Sequence, residues 1–592
     1  MAGFETWASF AGLPSRSATA GHALTFNPDH QTGAGQVLCT NKFRNSFEGF
    51  VVRKPRRRNV LYQINRRSLL VGSALAGLGW HAEAAEPVRG GTMIMIVQPE
   101  PATLALYNTT AGNVPPIAAQ VYEGLLNYDW DLKPVPSLAK AWDIAADGKT
   151  ITFHLREGVL FHDGKPFTSA DVQHTFMEVL KKVHPGGPVF LAELTSVETP
   201  DPLTAIFHLA NPAPYLIKAL SSRDAPILSK ALFAGTNPMS NPTANKPIGT
   251  GPFKFVSWER GQSIRLDRND KYWNPGLPYL NRILIRFIPD AATRSAALET
   301  GEVHLAAQNA LSFPDLARLK ENRSLELTTK GYETAPAISM LELNSRRAPF
   351  DKKGVRQAIA YAIDRQFIAD NVFYRYARPA TGPLSSLLSR SGFYTADVRR
   401  YDVPDRLAIA NKLLDDAGLP RKNGGMRFSA HIEVNPFGEQ WVRQAEYIKQ
   451  ALAVIGIDIQ LRSEDTPTWL RRVYTDYDYD INEPFVSNGL DPIIGLERLY
   501  TTSQIRKGIT FVNNTFYSNP DLDALLSRAR VELDTQKRAE MYKSAQKTLV
   551  EDCPLVWLNE VQFVTVTNRK LHDHTMGPWG INQAFDRAWL EK

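Results

Sequence analysis

Hydrophobic and polar residues alternate after Asp147-Gly148 in a pattern that predicts a strand with one buried face. Ile151, Phe153 and Leu155 fall on one side of the backbone, and the polar residues between them fall on the other. The Asp-Gly pair suits a tight turn, because both residue types tolerate positive φ. We therefore expect a half-buried strand that is entered through a turn.

The pattern then changes to that of an amphipathic helix. Thr168 offers a hydroxyl cap, Asp171 follows three residues later, and apolar residues recur at Val172, Phe176 and Val179. A hydroxyl followed by an acid at this spacing is typical of a capping box, and the apolar positions lie on one stripe. A helix is predicted to begin here and to pack that stripe inward.

Strand and helix patterns alternate through the rest of the chain. An unbroken apolar run at residues 92–97 predicts a buried strand, which places the polar loop 98–101 at a strand end, where α/β proteins commonly bind ligands. Other strands are predicted at 205–209, 253–258, 283–288 and 457–461, and helices at 118–126, 291–300, 355–371, 407–417 and 440–454. At 592 residues the chain exceeds what one core usually serves, so we expect two or more α/β lobes with mixed sheets.

The net charge of +7 would favour an anionic partner, but its position along the chain argues against one. Residues 1–84 hold ten of the 68 basic residues and four of the 61 acidic ones, which leaves a net charge of +1 from residue 85 onward. We therefore expect no nucleic-acid partner.

Residues 64–84 have the features of a twin-arginine (Tat-type) export signal. Arg66 and Arg67 precede an apolar, small-residue run at 69–79, and Ala82-Glu83-Ala84 follows as a small-x-small cleavage site. The run is shorter than the roughly 20 apolar residues that a membrane-spanning helix needs. We predict an exported, periplasmic protein that is cleaved near Ala84.

Residues 1–63 show no sustained hydrophobic period and are rich in Gly, Asn, Ser and Arg. Such a composition favours disorder. Since a segment this long is unusual ahead of a Tat motif, the alternative is that translation begins near Val60 or Leu61.

A longer succession of motifs carries a family resemblance. Between Pro134 and Leu180 the order is Trp, Asp-Gly-Lys-Thr, an alternating strand, Leu-Arg-x-Gly and Phe-x-Asp-Gly-x-Pro-Phe-Thr-x-x-Asp-Val. Later motifs follow in the same order: Gly249-Thr250-Gly251-Pro252-Phe253-Lys254, Tyr272-Trp273-Asn274, Val355-Arg356-Gln357-Ala358 and Ala362-Ile363-Asp364-Arg365. From about Gly91 onward the chain resembles family 5, the peptide/nickel/opine group of extracytoplasmic substrate-binding proteins of ABC importers.

The resemblance implies an α/β fold of the periplasmic binding protein type, with two lobes of mixed sheets and an additional small lobe (cluster C). Lobe I is expected to combine residues 85–122, 247–340 and 556–592. Residues 123–246 would form the small lobe II, and residues 341–555 would form lobe III.

The same resemblance points to two ligand-binding positions whose usual charges are missing. In dipeptide-binding members, an arginine before a Pro-aromatic pair holds the ligand's carboxylate, and an aspartate ahead of an acid-Pro pair holds its amine. These positions fall on Asn435 and Asn488. Neutral amides do not replace the roughly 1.5–3 kcal/mol of a charge-assisted hydrogen bond. We therefore expect a ligand held through hydroxyls, amides or its own backbone rather than a free dipeptide.

Four further residues are candidate ligand contacts by resemblance. Asp491 could pair with a cation, Phe485 could wall the cleft, and Gln98 and Glu100 lie on a loop that faces the ligand in the family. Each has a structural alternative: a turn or cap beside Pro492 for Asp491, core packing for Phe485, and solvent exposure for the other two.

We expect a binding protein and no enzyme. The chain has no H-E-x-x-H, C-x-x-C or G-x-S-x-G motif, and the sequence predicts no catalytic residue, no metal site and no cofactor. The resemblance implies a monomer that captures a peptide or other small solute between its lobes and delivers it to ABC permease subunits. The alternatives are a periplasmic hydrolase of peptides or glycosides that uses Glu100 and Asp491 as paired acids, and a folding helper.

Overall fold

The computed structural model describes residues 86–308, 310–333, 337–422 and 424–592. The predictions of a disordered extension and an export signal in residues 1–84 lie outside these residues. The described chain builds three sheets of four or more strands, named sheets 1 to 3 below. It runs through them in the order 1, 2, 1, 3, 1, so sheet 1 is assembled from three separate stretches.

Sheet 1 is a mixed sheet around the predicted buried strand Thr92–Ile96, which pairs in parallel with a strand on each side. All other pairs in this sheet are antiparallel. Its seven strands lie in the order Leu325–Thr328, Thr565–Asn568, Leu305–Ala306, Thr92–Ile96, Arg282–Arg286, Ser263–Arg268 and Phe253–Glu259.

Sheet 2 is antiparallel and contains the alternating strand predicted after Asp147-Gly148. Its four strands lie in the order Ala139–Ile144, Thr150–Leu155, Thr204–Leu209 and Leu194–Asp201. Ile151, Phe153 and Leu155 are buried, as the alternation predicted. The helix Ser169–His174 packs on this sheet, and its capping box is formed: the Thr168 backbone N–H donates to the Asp171 carboxylate at 2.9 Å.

Sheet 3 is centred on two fully buried strands, Ala337–Leu343 and Leu555–Val561, which pair antiparallel. Six of its strands lie in the order Ala377–Pro379, Leu555–Val561, Ala337–Leu343, Ile481–Asn482, Phe428–Glu433 and Ile457–Arg462. The seventh, the short strand Phe485–Ser487, also pairs with Ala337–Leu343. The helices of eight or more residues are Ala291–Glu299, Phe313–Lys320, Lys353–Ala362, Arg406–Asp416, Glu439–Val454, Pro520–Val531 and Thr535–Asp552. None of the helices in the described residues is long and apolar enough to cross a membrane.

Two predicted helices are wrong in extent. The helix predicted at 355–371 ends at Ala362, because Ile363 is extended and Asp364 caps a new turn by accepting a hydrogen bond from the Phe367 N–H at 2.9 Å. At 118–126 the helix Pro115–Ala118 gives way to the strand Leu126–Tyr128.

The reason for the second error is a long-range contact. The Leu126 N–H donates to the Leu220 carbonyl at 3.1 Å, and the carbonyl of Gly124 accepts from Leu138 rather than from its own helix. A Cβ atom on Gly124 would lie 2.3 Å from the Leu220 oxygen, so only glycine permits this approach.

Candidate ligand-binding site

A small polar cavity lies where three distant segments of the chain meet. It has a volume of about 20 Å³, enough for about one water molecule. One wall comes from residues 106–115, after the first strand of sheet 1. A second comes from residues 184–186, between two strands of sheet 2, and from residues 223–224, after its last strand. A third comes from the end of the strand Phe485–Ser487 and the residues after it. The lining residues are Leu106, Thr109, Thr110, Pro115, His184, Gly186, Arg223, Asp224, Ser487, Gly489, Ile494, Gly495 and Arg498.

Three charged side chains converge on this cavity: Arg223, Asp224 and Arg498. Arg498 is 5% exposed and donates to the Thr110 hydroxyl at 2.7 Å. Asp224 is 8% exposed, and its carboxylate makes no hydrogen bond or ion pair closer than 4 Å with the residues that the structure describes. A buried carboxylate without a hydrogen bond is costly in a folded protein, which makes this cluster a candidate functional site.

The electrostatics follow from burial. Desolvation raises the pKa of the Asp224 carboxyl, and the charges of Arg223 and Arg498 oppose that rise. Desolvation, helped by the like charge of Arg223, lowers the pKa of Arg498 to about 10. With two guanidinium groups and one carboxylate, the cluster carries an excess of positive charge that a ligand could neutralise.

His184 adds a neutral donor to the same wall. Its Nδ1 accepts from the Gly186 N–H at 3.1 Å, so the proton of the neutral ring sits on Nε2, which has no hydrogen-bond partner among the described residues. Burial lowers the pKa of His184 to about 3, with the charges of Arg498 and Arg506 acting in the same direction. The ring is therefore uncharged at neutral pH.

Phe485 and Gln98, both predicted from the sequence, lie at a neighbouring narrow gap. Gln98 and Gln308 line one side, and Phe437 and Phe485 line the other. Phe485 stacks on Trp441 with ring centroids 5.0 Å apart and an interplanar angle of 10°. Phe485 is only half-buried, so it combines packing with a surface that borders the gap.

The two asparagines at the family's anchor positions are buried and bonded within the protein. Asn435 accepts a hydrogen bond from the Phe437 N–H at 2.9 Å, while its Nδ2 has no partner among the described residues. Asn488 accepts from the Ser385 N–H at 2.8 Å and donates to the Pro383 carbonyl at 2.9 Å. Asn488 therefore ties a loop to the sheet, and its chain neighbours Ser487 and Gly489 border the cavity.

Asp491 and Glu100 are also occupied by protein partners. Arg538 donates to both oxygens of the fully buried Asp491 at 2.8 and 2.5 Å, and Lys218 lies 3.5 Å away. Asp491 also caps the short helix Pro492–Gly495. Glu100 accepts from the Trp258 ring nitrogen at 2.7 Å, and it contacts neither Asp491 nor Arg538.

The hydrolase alternative required Glu100 and Asp491 as a catalytic pair. Their carboxylates have no bonding partner in common, and neither residue lines the cavity. The structure gives that alternative no support. In the described part of the chain, no group of three or more His, Cys, Asp or Glu could hold a metal ion.

Comparisons with known proteins agree with this architecture. The profile of the bacterial extracellular solute-binding proteins, family 5 (middle region), matches residues 133–506, which is more than half of the chain. The glutathione-binding protein GsiB of Pectobacterium atrosepticum is 29% identical over 472 residues, covering 77% of this chain and 86% of the relative.

Two solved structures illustrate the similarity in fold. The oligopeptide-binding protein AppA of Bacillus subtilis, in complex with a nonapeptide, superposes with a TM-score of 0.76 at 26% identity, covering 86% of this chain and 100% of AppA. AgaA from A. tumefaciens R10, in complex with agropinic acid, gives a TM-score of 0.74 at 26% identity, covering 85% of this chain and 99% of AgaA. The predicted two-lobed fold is thereby confirmed.

These findings also decide the broad function. The protein captures a small solute between its lobes for an ABC transporter in the membrane, and it is not an enzyme. Its place is extracytoplasmic, as in its relatives. The chain belongs to family 5 of the bacterial extracellular solute-binding proteins.

Proposed function

We propose that the solute is a small peptide with one ammonium group and two carboxylates, and that glutathione is the first compound to test. The observation that carries this proposal is the cluster of buried Asp224 and Arg498 with half-buried Arg223. Glutathione has one more negative than positive charge at neutral pH, so it complements the two guanidinium groups and one carboxylate of the cluster. The curated relative GsiB is named for glutathione binding.

Each charge of such a ligand has a counterpart in the cluster. Asp224, whose carboxylate makes no hydrogen bond with the described residues, would accept from the ammonium group, and Arg223 and Arg498 would donate to the carboxylates. Charge-assisted hydrogen bonds of this kind contribute roughly 1.5–3 kcal/mol each. The Nε2–H of His184 supplies one further donor.

Binding requires the lobes to move apart. A ligand of this size needs a pocket of about 300 Å³ or more, whereas the cavity measures about 20 Å³. The chain passes from sheet 1 to sheet 3 between Thr328 and Ala337 and returns between Val561 and Thr565. We propose that the crossing between Val561 and Thr565 contributes to the hinge and that closure over the ligand is what the permease recognises.

The six residues predicted from the sequence receive two proposed roles. Gln98 and Phe485 would line the cleft, because they border the gap next to the charged cluster. Asn435, Asn488, Asp491 and Glu100 would hold the surrounding backbone in place through the contacts described above.

Calorimetric titration of the mature protein with glutathione tests this proposal. We expect binding to weaken at least about tenfold, or 1.4 kcal/mol, in Asp224→Asn and in Arg498→Met. Arg528→Met is the matched control, because Arg528 is exposed on the helix Pro520–Val531 and lies outside the cavity. Glutathione ethyl ester, which lacks one carboxylate, should bind more weakly than glutathione.

The proposal fails if glutathione and its ethyl ester bind equally well, or if Asp224→Asn and Arg498→Met bind glutathione like the control. Equal binding by all three variants would place the solute outside the charged cluster. If glutathione does not bind but another peptide binds tightly and loses affinity in Arg498→Met, the site is correct and glutathione is not the solute.

Export and assembly are proposed from the sequence. We propose that Arg66 and Arg67 direct Tat export, that cleavage occurs near Ala84, and that the mature protein is a monomer. The twin-arginine motif and the extracytoplasmic place of the family support this. Substituting both arginines with lysine should retain the precursor in the cytoplasm, and N-terminal sequencing of the exported form should begin near Ala85. Size-exclusion chromatography with light scattering tests the monomer.

Lobe boundaries are proposed from the order in which the chain runs through the sheets. The three stretches of sheet 1 support a lobe I in three pieces, for which the family resemblance gives residues 85–122, 247–340 and 556–592, with lobe II at 123–246 and lobe III at 341–555. Because Ala337–Leu343 and Leu555–Val561 are the central strands of sheet 3, we propose that lobe III extends to about residues 337 and 561. Limited proteolysis that cuts first at these junctions would support the division.

A further inference from the structure

A cavity of about 200 Å³ lies beside sheet 3 and shares no lining residue with the candidate solute site. Its walls come from Arg365 at the start of a short helix, from residues 379–381 and 399–402, and from Trp557 on a central strand of the sheet. Three of its lining residues are arginines, and Asp402 is the one acid among them. The transport function described above makes no use of this cavity.

Arg365 brings a buried positive charge to the cavity, and in the described part of the chain no Asp or Glu oxygen lies within 4 Å of its guanidinium group. The residue is 4% exposed. Its Nε donates to the Trp557 carbonyl at 2.7 Å, and its Nη1 donates to the Ala360 and Ile363 carbonyls at 3.0 and 3.4 Å. These bonds hold the group in place without neutralising its charge, and Nη2 donates to no described residue. Because a buried charge without an opposite partner is costly, Arg365 favours an anion in this cavity.

Arg399 and Arg400 add hydrogen-bond donors to the same cavity. Arg400 donates from Nε and Nη2 to the two oxygens of Asp402 at 2.9 and 2.7 Å, and the Nε of Arg399 donates to Glu551 at 2.6 Å. The Nη1 of Arg400 and the Nη2 of Arg399 donate to no described residue. Since each of these two pairs is neutral, the three arginines and two acids leave one net positive charge. Both side chains are partly exposed, which gives a small ion a path from solvent.

The donors of this cavity suit a small oxyanion. A guanidinium group only donates hydrogen bonds, and its planar fork matches the oxygen atoms of phosphate, sulfate and carboxylate groups. The three arginines come from two separate segments of the chain, so a tetrahedral anion with oxygens on every side can engage more of them than a planar carboxylate. The volume is below the roughly 300 Å³ at which sites for drug-sized ligands begin, so a small ion fits better than a larger solute.

We propose that this cavity binds a small tetrahedral oxyanion, phosphate or sulfate, between Arg365, Arg399 and Arg400. The anion neutralises the buried charge of Arg365 and links residues 399–402 to the central strand that Arg365 contacts. Since it binds the folded state, it also raises the free energy of unfolding as its concentration rises. The site is separate from that of the transported solute and does not rest on the proposed function.

Calorimetric titration of the mature protein with inorganic phosphate, and separately with sulfate, at constant ionic strength in chloride tests this site. We expect one anion per chain, with planar acetate at least about tenfold weaker than the tighter of the two tetrahedral anions. Arg365→Met and Arg399→Met should each weaken binding of that anion at least about tenfold. Arg528→Met is the matched control, because Arg528 is exposed and lies outside the cavity.

Arg399→Met and Arg400→Met keep the test valid if the buried Arg365→Met variant does not fold, because both of these side chains are partly exposed. Absence of saturable binding by both phosphate and sulfate would overturn the proposal. Acetate binding as tight as that of the tetrahedral anions would overturn it too, as would wild-type affinity in both Arg399→Met and Arg400→Met. Asp224→Asn and Arg498→Met should bind phosphate and sulfate normally, so failure of the glutathione proposal and failure of this one are distinguishable.

Discussion

Replacing Asp491 with asparagine removes one half of a buried ion pair. The carboxylate is fully buried, the Arg538 side chain is 7% exposed, and the two hydrogen bonds between them measure 2.8 and 2.5 Å. Breaking such a pair by removing one partner typically costs about 3–5 kcal/mol, because the other charge stays buried without compensation. We therefore expect Asp491→Asn to lower the free energy of unfolding by about 3–5 kcal/mol.

The partner variant and the double variant sharpen this test. Arg538→Met should cost a similar amount, since among the described residues it leaves Asp491 with Lys218 at 3.5 Å as its one charged partner. The double variant Asp491→Asn/Arg538→Met should cost less than the sum of the two single variants, because it leaves no unpaired charge. Urea unfolding at neutral pH, followed by tryptophan fluorescence, measures all three.

The pH dependence of this pair has a definite sign. Burial alone would raise the pKa of Asp491, but the hydrogen bonds and charge of Arg538 outweigh it and hold the pKa below its usual value. A lowered carboxyl pKa stabilises the folded state above the unfolded pKa of about 3.9, and that stabilisation is lost as the pH falls through the folded value. Asp491→Asn should therefore flatten the acid limb of the stability curve.

Ligand affinity separates the structural role of Asp491 from the ligand-binding role that its sequence position suggested. Under conditions where Asp491→Asn stays folded, its glutathione dissociation constant should change by less than about threefold. A stability loss below about 1 kcal/mol combined with abolished binding would refute the structural role and make Asp491 a ligand contact.

Three more variants test particular contacts. Burial raises the pKa of Glu483 to about 8, so its contribution to stability is present at low pH and is lost as the pH rises through the folded value. Glu483→Gln should therefore flatten the pH dependence of the free energy of unfolding in urea between about pH 5 and 8. An unchanged slope would contradict this. Asn488→Ala leaves a buried N–H and a buried carbonyl unpaired and should cost about 1–3 kcal/mol by the same assay, whereas a neutral effect would mean that water replaces both bonds. Gly495→Ala should destabilise the protein by about 1–3 kcal/mol, because its Cβ would lie 2.2 Å from the Asn488 carbonyl. The control is Gly354→Ala, whose Cβ would have no atom closer than 3.6 Å and which should stabilise its helix by about 0.5–1 kcal/mol.

Local patterns were sufficient for elements that bury one face. The alternating strand Thr150–Leu155 and the capped helix that begins at Ser169 form where the sequence predicts them, because side-chain period and capping act over a few residues. The helix predicted at 118–126 fails because the Leu126 N–H and the Gly124 carbonyl bond to segments far along the chain. No local pattern contains that information.

The same distinction applies to the candidate site. Gln98 and Phe485 were placed by family resemblance at a strand end and on a cleft wall, and they border the gap. Asp491 was equally compatible with a helix cap, and the structure shows it capping Pro492–Gly495 while bound to Arg538. Only the fold reveals that a cation from a distant helix already neutralises this carboxylate.

Under the proposed function, the charges that bind a zwitterionic ligand lie at other positions in this chain than in its dipeptide-binding relatives. Asn435 and Asn488 are neutral where dipeptide-binding relatives carry opposite charges, and this alone argued against a peptide with free termini. Arg223, Asp224 and Arg498 restore both signs in a neighbouring part of the cleft, and they come from two segments that are distant in sequence. In sequence each resembles an ordinary surface charge, because an isolated Arg or Asp is usually solvated. Only the folded backbone brings these three side chains together. Because buried charges need partners of opposite sign, the cluster predicts a zwitterionic ligand, which the neutral Asn435 and Asn488 alone would have excluded.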